Sequence, residues 1–294
     1  MITIFGASGN TGGAAAIALL EAGRKIRVVG RHADKLAHLV RAGAESAIGD
    51  IENGAFVKEA LAGAEAAYVL IPPNMAADDF RAYGRAVIAS TAGALEGSAV
   101  RHVVLLSSIG AHHSSGTGPI VLLHEFEEGL KKIPGLNALF LRAGYFMENL
   151  FMGMGMIKAQ GMYGTMMPPD VGVQMIASAD IGSYAGGRLA GLDFSGKSVI
   201  HLLGPKAVTG NDVVAVLSQV IGKPVRYIQL SLEDVEKGML QSGLRPAIVS
   251  VLMEMYSGAA QGLVAPEAGG PVQLASTTFE TFAKNVLLPA YKNQ

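Results

Sequence analysis

An apolar segment that runs straight into regularly spaced glycines is the feature that most limits the possible folds of this chain. Residues 2–5 read ITIF, residues 6–13 read GASGNTGG, and residues 14–20 continue as a helical pattern. A strand, a glycine turn and a helix N-terminus in that order offer backbone N–H groups that few side chains block, which suits a pyrophosphate. The segment therefore predicts a dinucleotide site, and the alternative is an ordinary strand-to-helix loop.

The glycines of this turn have separate roles in the prediction. Gly6 permits the tight turn out of the strand, Gly9 lets the main chain approach a phosphate, and Gly12 lets the helix pack closely on the sheet. Their spacing is one residue longer than the common Gly-x-Gly-x-x-Gly pattern. The residues predicted to bind the dinucleotide here are Gly6, Ser8, Gly9, Asn10, Thr11 and Gly12.

The composition argues against several classes of protein. With 294 residues, 50% of them hydrophobic, and a mean hydropathy of +0.36, the chain can bury a large core. A net charge of −1 and the lack of a basic, aromatic-rich run predict no nucleic-acid partner. The absence of cysteine excludes disulfides and thiolate catalysis, and no histidine spacing indicates a metal. Since no long apolar run or signal segment is found, we expect no membrane association and a cytoplasmic location.

Apolar segments alternate with helical patterns along the first half of the chain. This alternation predicts an α/β protein with a Rossmann-type, doubly wound parallel sheet and a smaller C-terminal α/β lobe. We expect residues 1–150 to form the dinucleotide-binding domain, with a returning strand near 198–204, and residues 151–294 to form mainly the substrate-binding lobe. The predicted strands are 2–5, 26–30, 45–48, 66–71, 102–107, 137–141 and 225–229. The predicted helices are about 11–22, 33–42, 53–62, 76–95, 119–132, 232–241, 246–258 and 277–287, together with one that residues 209–212 cap and that runs to about Ile221.

The composition changes after about residue 150. Eight of the 13 methionines fall between Met147 and Met175, among glycines and prolines. Methionine adapts to irregular apolar surfaces, so this segment is a candidate lining for a substrate pocket. An irregular core filled by flexible side chains is the equally open alternative.

The residues after the second strand bear on the choice of nicotinamide cofactor. In this fold an acidic residue there binds the ribose 2′-hydroxyl of NAD. Arg31 occupies that place in this chain, with Lys35 one helical turn further on. A guanidinium and a second cation suit an anionic 2′-phosphate, which a carboxylate would repel. The pattern favours NADP(H) over NAD(H), and the alternative is that Arg31 and Lys35 are simply solvated residues at a helix start.

A set of short motifs runs through the chain: the glycine turn at 6–12, Arg31, GDI at 49–51, IPP at 71–73, LLSS at 105–108 and LRAGYFMEN at 141–149. Together they resemble the NmrA-like family of atypical short-chain dehydrogenases. That group is similar to type 2 NAD(P)H:quinone oxidoreductases, to triphenylmethane-dye and azo-dye reductases, and to redox-sensing regulators of the NmrA type. The resemblance covers essentially the whole chain.

The resemblance implies further contacts with the cofactor. Asp50 and Ile51 would approach the adenine, with Asp50 accepting from its amine, although Asp50 is equally suited to capping a turn. Ser107 and Ser108 would lie near the nicotinamide, although serine pairs also cap strand ends. The remaining cofactor contacts that we expect are Ile71, Pro72 and Pro73 in a rigid loop, and Gly144, Tyr145 and His124.

The acid/base pair of many short-chain dehydrogenases is missing. Those enzymes use Tyr-x-x-x-Lys, but if His124 stands in the lysine position, Ile120 stands in the tyrosine position. This departure leaves acceptors that are already electrophilic, because the cofactor then carries the difficult step. His124 is a candidate to bind the nicotinamide ribose or to donate a proton, or it is a helix-surface histidine. Tyr145 and Asn149 would border the nicotinamide and the substrate, and Tyr145 is also suited to core packing.

Three functions are compatible with these observations. The first is an NADPH-dependent reductase that transfers hydride to a quinone-like or conjugated small-molecule acceptor, with His124, Tyr145 and Asn149 as candidate catalytic residues. The second is a non-catalytic NADP(H)-sensing regulator of the NmrA type, which would bind a protein partner according to redox state. The third is a sugar-nucleotide epimerase or dehydratase, which the missing acid/base pair weakens.

Overall fold

A computed structural model describes residues 1–293, in which strands and helices alternate along most of the chain. The strands are β1 (Ile2–Ile4), β2 (Ile26–Gly30), β3 (Glu45–Ile48), β4 (Ala66–Val69), β5 (His102–Ser108), β6 (Asn137–Ala143), β7 (Tyr145–Phe146), β8 (Met162–Thr165), β9 (Val173–Ile176), β10 (Lys197–Leu203), β11 (Ala207–Val208), β12 (Arg226–Gln229) and β13 (Val272–Leu274).

The helices connect these strands and complete the second lobe. They are α1 (Asn10–Glu21), α2 (Ala33–Arg41), α3 (Gly54–Ala60), α4 (Phe80–Glu96), α5 (Ile120–Lys131), α6 (Met154–Gln160), α7 (Ser178–Gly191), α8 (Gly210–Ile221), α9 (Leu232–Gln241), α10 (Pro246–Ala260), α11 (Phe279–Phe282) and α12 (Leu288–Asn293), with a 3₁₀ segment at Met147–Gly153 and a π segment at Ala283–Leu287. Across residues 1–293, every helix is too short or too polar to cross a bilayer.

Eight parallel strands form the central sheet, in the order β13-β10-β6-β5-β4-β1-β2-β3. From β1 the chain winds outward through β2 to β3, and it then returns to β4 on the other side of β1. The order therefore reverses between β1 and β4, which is where open α/β sheets bind their ligands. This topology confirms the predicted Rossmann-type fold, and the returning strand predicted near 198–204 is β10.

Helices cover both faces of the sheet, which explains why its central strands are mostly apolar. Ile4 and Tyr68 are buried on the face that packs against α1, α2 and α7. Val69 and Leu105 are buried on the face that packs against α3, α4 and α5. A strand that is covered on both sides has no solvent-facing positions for polar residues.

A close contact between α1 and α7 holds the glycine turn in place. A Cβ atom on Gly182 would come closer than 3.0 Å to the backbone of Thr11, and one on Gly186 would lie 2.9 Å from the carbonyl oxygen of Ala15. Glycine at these two positions therefore lets the helix backbones approach each other. Because Thr11 is in the first turn of α1, α7 packs directly against the end of the glycine turn.

The second lobe is built from two small sheets and its own core. The sheets have the orders β11-β9-β7 and β12-β8. Met147, Leu150, Val213 and Phe279 are buried together in the lobe, separately from the cores of the central sheet. The lobe therefore has an apolar interior of its own.

Several elements differ from the sequence prediction, among them α7, which was not predicted, and α4 and β13. Helix α4 begins at Phe80 rather than near residue 76, because the Asp79 side chain accepts hydrogen bonds from the N–H groups of Arg81 and Ala82 and so caps the helix there. Strand β13 adds an edge to the central sheet that the sequence did not predict. Its apolar residues Val272 and Leu274 are both exposed, so no burial pattern marks it.

Candidate cofactor and acceptor site

A cavity of about 820 Å³ lies at the carboxyl ends of the central strands. One side is formed by the glycine turn after β1 and by the ends of β4, β5 and β6, and the other by β8, β9, α10 and residues 264–266. The predicted site residues in its wall are Gly6, Gly9, Asn10, Thr11, Ile71, Pro73, Ser107, Ser108, Gly144, Tyr145 and Asn149. The predicted residues outside the wall are Ser8, Gly12, Arg31, Lys35, Asp50, Ile51, Pro72 and His124.

The glycine turn has the geometry of a phosphate cradle. Gly6 has a φ of +64°, in the left-handed region that favours glycine, and a Cβ on Gly12 would come closer than 3.0 Å to the Gly6 carbonyl. Gly9 is the N-cap residue of α1 and offers no side chain to the first-turn N–H groups. These N–H groups need an acceptor, and the positive end of the helix favours an anion. The backbone at this end of the cavity therefore fits a dinucleotide pyrophosphate.

A tyrosine from α4 fixes the proline loop at residues 71–73. The Tyr83 hydroxyl donates a hydrogen bond of 2.9 Å to the carbonyl oxygen of Pro72, while Ile71 and Pro73 lie in the cavity wall. Burial, with a smaller contribution from the nearby Glu52 carboxylate, raises the pKa of Tyr83 to about 12. The phenol therefore stays protonated and remains a donor. The sequence did not indicate this role, because nothing in the spacing of Tyr83 and the loop marks the contact.

Arg31, Lys35 and Asp50, the charged residues predicted to meet the adenosine end, lie outside the cavity wall. Arg31 and Lys35 are exposed and form no ion pair with any of residues 1–293. The Asp50 carboxylate accepts a hydrogen bond of 3.0 Å from the Glu52 N–H. Asp50 therefore caps a turn, which is the alternative role that the sequence predicts for it. The charges of Arg31 and Asp50 both influence the Tyr83 hydroxyl. These charges therefore gather near the proline loop.

A buried ion pair joins β5, β6 and α5 beside the cavity. The Glu127 carboxylate accepts from Arg142 Nε at 3.0 Å and Nη2 at 2.7 Å, and from the Ser107 hydroxyl at 2.6 Å. The side chains of Glu127 and Arg142 are only 1% and 4% exposed. Burial opposes the charge on Arg142, but its bonds to Glu127 and Glu267 outweigh this and raise its pKa. The Ser107 hydroxyl is thus committed to the ion pair, an arrangement that the sequence did not predict.

The same arginine ties residues 264–267 to the central sheet. Arg142 Nη1 donates to the Glu267 carboxylate at 2.7 Å, and the Gly110 N–H donates to the Ala265 carbonyl at 3.1 Å. Glu267 is half exposed, and its hydrogen bond with Arg142 lowers the pKa of its carboxyl. Since residues 264–266 line the cavity, these two bonds hold part of its wall.

His124 bonds to a loop rather than lining the cavity. Its Nδ1 atom lies 2.9 Å from the carbonyl oxygen of Ala111, which can only accept, so Nδ1 carries a proton. In the neutral imidazole Nε2 is then the acceptor. Ile120, one helical turn earlier on α5, does lie in the wall. Its side chain cannot donate or accept a proton.

Four tyrosines border the half of the cavity formed by the second lobe: Tyr145, Tyr163, Tyr227 and Tyr256. Burial raises the pKa of Tyr145, Tyr163 and Tyr256, and the Asn149 side chain lowers that of Tyr145 by a smaller amount. The Tyr227 hydroxyl lies 2.6 Å from the Thr165 hydroxyl and donates to the Met167 carbonyl at 2.5 Å. Only Tyr145 was predicted, because the others come from β8, β12 and α10 and share no local motif.

The methionines of this segment divide between the cavity wall and the core of the lobe. Met166 and Met167 line the cavity, where a substrate pocket would place them, and Met175 both lines the cavity and is buried in the core. Met147 and Met154 are fully buried in the core of the lobe, as the alternative requires. The periodicity of the sequence does not separate the two groups, because the segment folds into short, irregular elements.

Solved structures share this fold over nearly the whole chain. The NADPH-dependent quinone oxidoreductase of Escherichia coli, crystallised with NADPH, matches with a TM-score of 0.79 and 22% identity and covers 98% of this chain and 100% of that one. The triphenylmethane reductase of Citrobacter sp., crystallised with NADP(H), matches with a TM-score of 0.75 and 19% identity and covers 97% and 99%. At these identities the likeness establishes the fold.

Sequence comparison supports the resemblance seen in the motifs. The chain is 28% identical over 261 residues to the NAD(P)H azoreductase of Xenophilus azovorans, across 87% of this chain and 86% of that enzyme. Residues 1–262 match the NmrA-like family. This match spans the glycine turn, the proline loop and the segment around Arg142. The chain therefore belongs to the NmrA-like family.

Proposed function

We propose that this protein is an NADPH-dependent reductase that transfers hydride to a quinone-like or other conjugated small-molecule acceptor. The observation that carries this proposal is that the glycine turn and the tyrosine-lined lobe open into one cavity of about 820 Å³. Pockets for small molecules and cofactors occupy ~300–1,000 Å³, so this cavity has room for a nicotinamide and a flat acceptor. Relatives named as azo-dye, triphenylmethane and quinone reductases support the same reaction class.

The cofactor would lie along the edge of the sheet, with its pyrophosphate at the first turn of α1. Gly6, Gly9, Asn10 and Thr11 would surround the phosphates, and the proline loop fixed by Tyr83 would border the ribose. Ser107 and Ser108, at the end of β5, would lie beside the nicotinamide. When bound, the nicotinamide supplies the hydride, and the protein supplies alignment.

Arg31 and Lys35 support a preference for NADPH over NADH. Both side chains are exposed near the adenosine end, and neither has an acidic partner within residues 1–293 to neutralise it. A guanidinium binds a phosphate through charge-assisted hydrogen bonds. One carboxylate oxygen of Asp50 accepts a hydrogen bond from the Glu52 N–H, and its second oxygen is available to the adenine amine.

The residues around the acceptor suit hydride transfer to an electrophilic carbon or nitrogen. Ile120 in the wall supplies neither an acid nor a base, which disfavours an epimerase or dehydratase. Tyr145 remains a neutral phenol and can donate a hydrogen bond to the oxygen or nitrogen that gains electron density. Asn149 would orient Tyr145, and the Nε2 atom of His124 would accept from the nicotinamide ribose.

The proposal is tested by NADPH oxidation with a panel of benzoquinones, naphthoquinones, azo dyes and triphenylmethane dyes. We expect acceptor-dependent oxidation with at least one class, faster with NADPH than with NADH. Gly12→Ala should abolish turnover because its Cβ overlaps the Gly6 carbonyl, whereas Gly93→Ala in α4, with no neighbour within 4 Å, should keep it. The absence of acceptor-dependent turnover across the whole panel would contradict the proposal.

A further inference from the structure

The wall of the large cavity is lined by apolar and neutral polar side chains. Among residues 1–293, no Asp, Glu, Lys, Arg or His contributes to it. Its polar groups are neutral amides and hydroxyls, from Asn10, Thr11, Ser107, Ser108, Tyr145, Asn149, Tyr163, Thr165, Gln174, Tyr227 and Tyr256. The ion pair of Glu127 and Arg142 lies beside the cavity, but both groups are satisfied by each other and by Ser107.

The two ends of the cavity differ in their ability to receive an anion. At the glycine turn, the first-turn N–H groups of α1 and the positive helix end can bind a phosphate. The acceptor end, formed by Tyr145, Tyr163, Tyr256 and Met166, receives no cation from residues 1–293. Helices α4, α5 and α8 also begin at the cavity wall, but most of their first-turn N–H groups already have acceptors within the chain. An anion that entered there would exchange its hydration for phenols and thioethers.

The tyrosines at the acceptor end are donors rather than charge partners. Burial raises the pKa of Tyr145, Tyr163 and Tyr256, so all three stay neutral at physiological pH. Within residues 1–293, the hydroxyls of Tyr163 and Tyr256 form no hydrogen bond, in contrast to that of Tyr227, which bonds to Thr165 and Met167. Free phenols next to apolar methionines suit a carbonyl oxygen or an azo nitrogen on a flat, apolar molecule.

We propose that the acceptor end selects uncharged conjugated molecules and rejects those that carry a sulfonate, carboxylate or phosphate group. The inference rests on the proposed reductase function and narrows its substrate class. The physical reason is that an anion loses its strong hydration there and finds phenol donors but no opposite charge. A neutral acceptor loses little hydration, gains the same hydrogen bonds and buries apolar surface.

Two 1,4-naphthoquinones test this selectivity: the parent compound and its 2-sulfonate. With NADPH saturating, and after subtraction of the uncatalysed reaction, kcat/KM should favour the neutral quinone by at least ~100-fold, as expected for an unpaired buried charge. Equal values for the two quinones would overturn the proposal. If neither quinone is reduced, the reductase function fails, and the binding experiment below still decides the selectivity.

Binding without reduction provides the second measurement. Calorimetric titration of the NADPH-saturated protein, in which the nicotinamide ring is neutral, should detect 2-methoxynaphthalene and give at least ~100-fold weaker binding of naphthalene-2-sulfonate. Comparable affinities for the two compounds would overturn the proposal, whatever the outcome with quinones. Failure to detect the neutral ligand would also count against an acceptor site of the stated chemistry.

Met166 offers a matched pair of variants that changes only the charge of the wall. It lines the cavity and is half-buried, so a lysine there can reach both the acceptor and solvent. Met166→Lys should reduce the discrimination against the sulfonates by ~10-fold or more, and Met166→Gln should leave it within ~3-fold of wild type. If both variants behave alike, the missing charge is not the origin of the selectivity. The methoxynaphthalene titration shows whether each variant keeps its site.

Discussion

The buried ion pair between Glu127 and Arg142 gives the sharpest prediction for stability. Glu127→Gln keeps the size of the side chain and removes its charge. The carboxylate now accepts two hydrogen bonds from Arg142 and one from Ser107. An amide has one acceptor oxygen and an NH₂ group that would face a donor, so the variant leaves part of the guanidinium unpaired at a site that is 4% exposed.

The magnitude follows from this burial. Removal of one partner from a buried pair costs ~3–5 kcal/mol, and we take ~3 kcal/mol because Glu267 continues to bind Arg142. At ~2.1 cal/mol/K per residue, the 294 residues give an unfolding entropy of ~0.6 kcal/mol/K. The melting temperature should therefore fall by ~5 °C. Replacing both partners, as Glu127→Gln with Arg142→Met, should recover part of this loss because no unpaired charge remains buried.

The matched control is Glu128→Gln on the same helix. Glu128 forms an ion pair with Lys131 at the same distance of 2.7 Å, but both side chains are more than a third exposed. Such a pair contributes ~0.5 kcal/mol or less, so the melting temperature should change by under ~1 °C. Differential scanning calorimetry of the three variants at pH 7 measures these shifts. A Glu127→Gln shift no larger than that of Glu128→Gln would refute the reasoning.

Three further outcomes follow from the same structure. Arg31→Glu should raise the KM for NADPH by ~10-fold or more and leave the KM for NADH nearly unchanged. The control Arg41→Glu, at the far end of α2, should leave both KM values nearly unchanged. Equal effects of Arg31→Glu on the two cofactors would exclude a contact with the 2′-phosphate. Gly182→Ala should destabilise the protein and weaken NADPH binding, since its Cβ overlaps the backbone of Thr11, whereas Gly187→Ala, with open space, should stabilise it by ~0.5–1 kcal/mol in thermal unfolding. Arg142 lowers the pKa of the Glu267 carboxyl, so the stabilisation by Glu267 is fully present above the ordinary carboxyl pKa of 4.5 and is lost as the pH falls through the lowered pKa. The difference in melting temperature between wild type and Glu267→Gln should therefore shrink below the lowered pKa. A difference that persists in acid would contradict this linkage.

The nucleotide-binding half of the fold was predictable because its signals are local. The glycines at 6–12 and the uniformly apolar strands, such as residues 103–106, mark a buried sheet and a phosphate turn directly in the sequence. Strand β10 also carries an apolar run that marks it. The exposed β13 carries none, and its place at the sheet edge depends on the path of the whole chain.

The acceptor half was not predictable, because its chemistry comes from residues that are distant in sequence. Tyr163 and Tyr256 reach the cavity from a strand and a helix that are separated by 93 positions in the numbering. The bond between Arg142 and Glu267 joins residues 125 positions apart. The sequence showed that Ile120 stands where a proton donor would be expected. It did not show that the cavity wall around Ile120 is uncharged.

In the proposed reaction, nicotinamide and acceptor meet in one cavity. A single-turnover reaction with NADPH deuterated at C4, followed anaerobically after mixing with 1,4-naphthoquinone, tests it most directly. The account predicts oxidation that requires the quinone and is slower when the deuterium occupies one of the two faces of the nicotinamide, because the fixed cavity presents a single face to the acceptor. Oxidation at the same rate without the quinone would contradict this prediction. Equal oxidation rates for the two deuterated forms and for unlabelled NADPH would also contradict it.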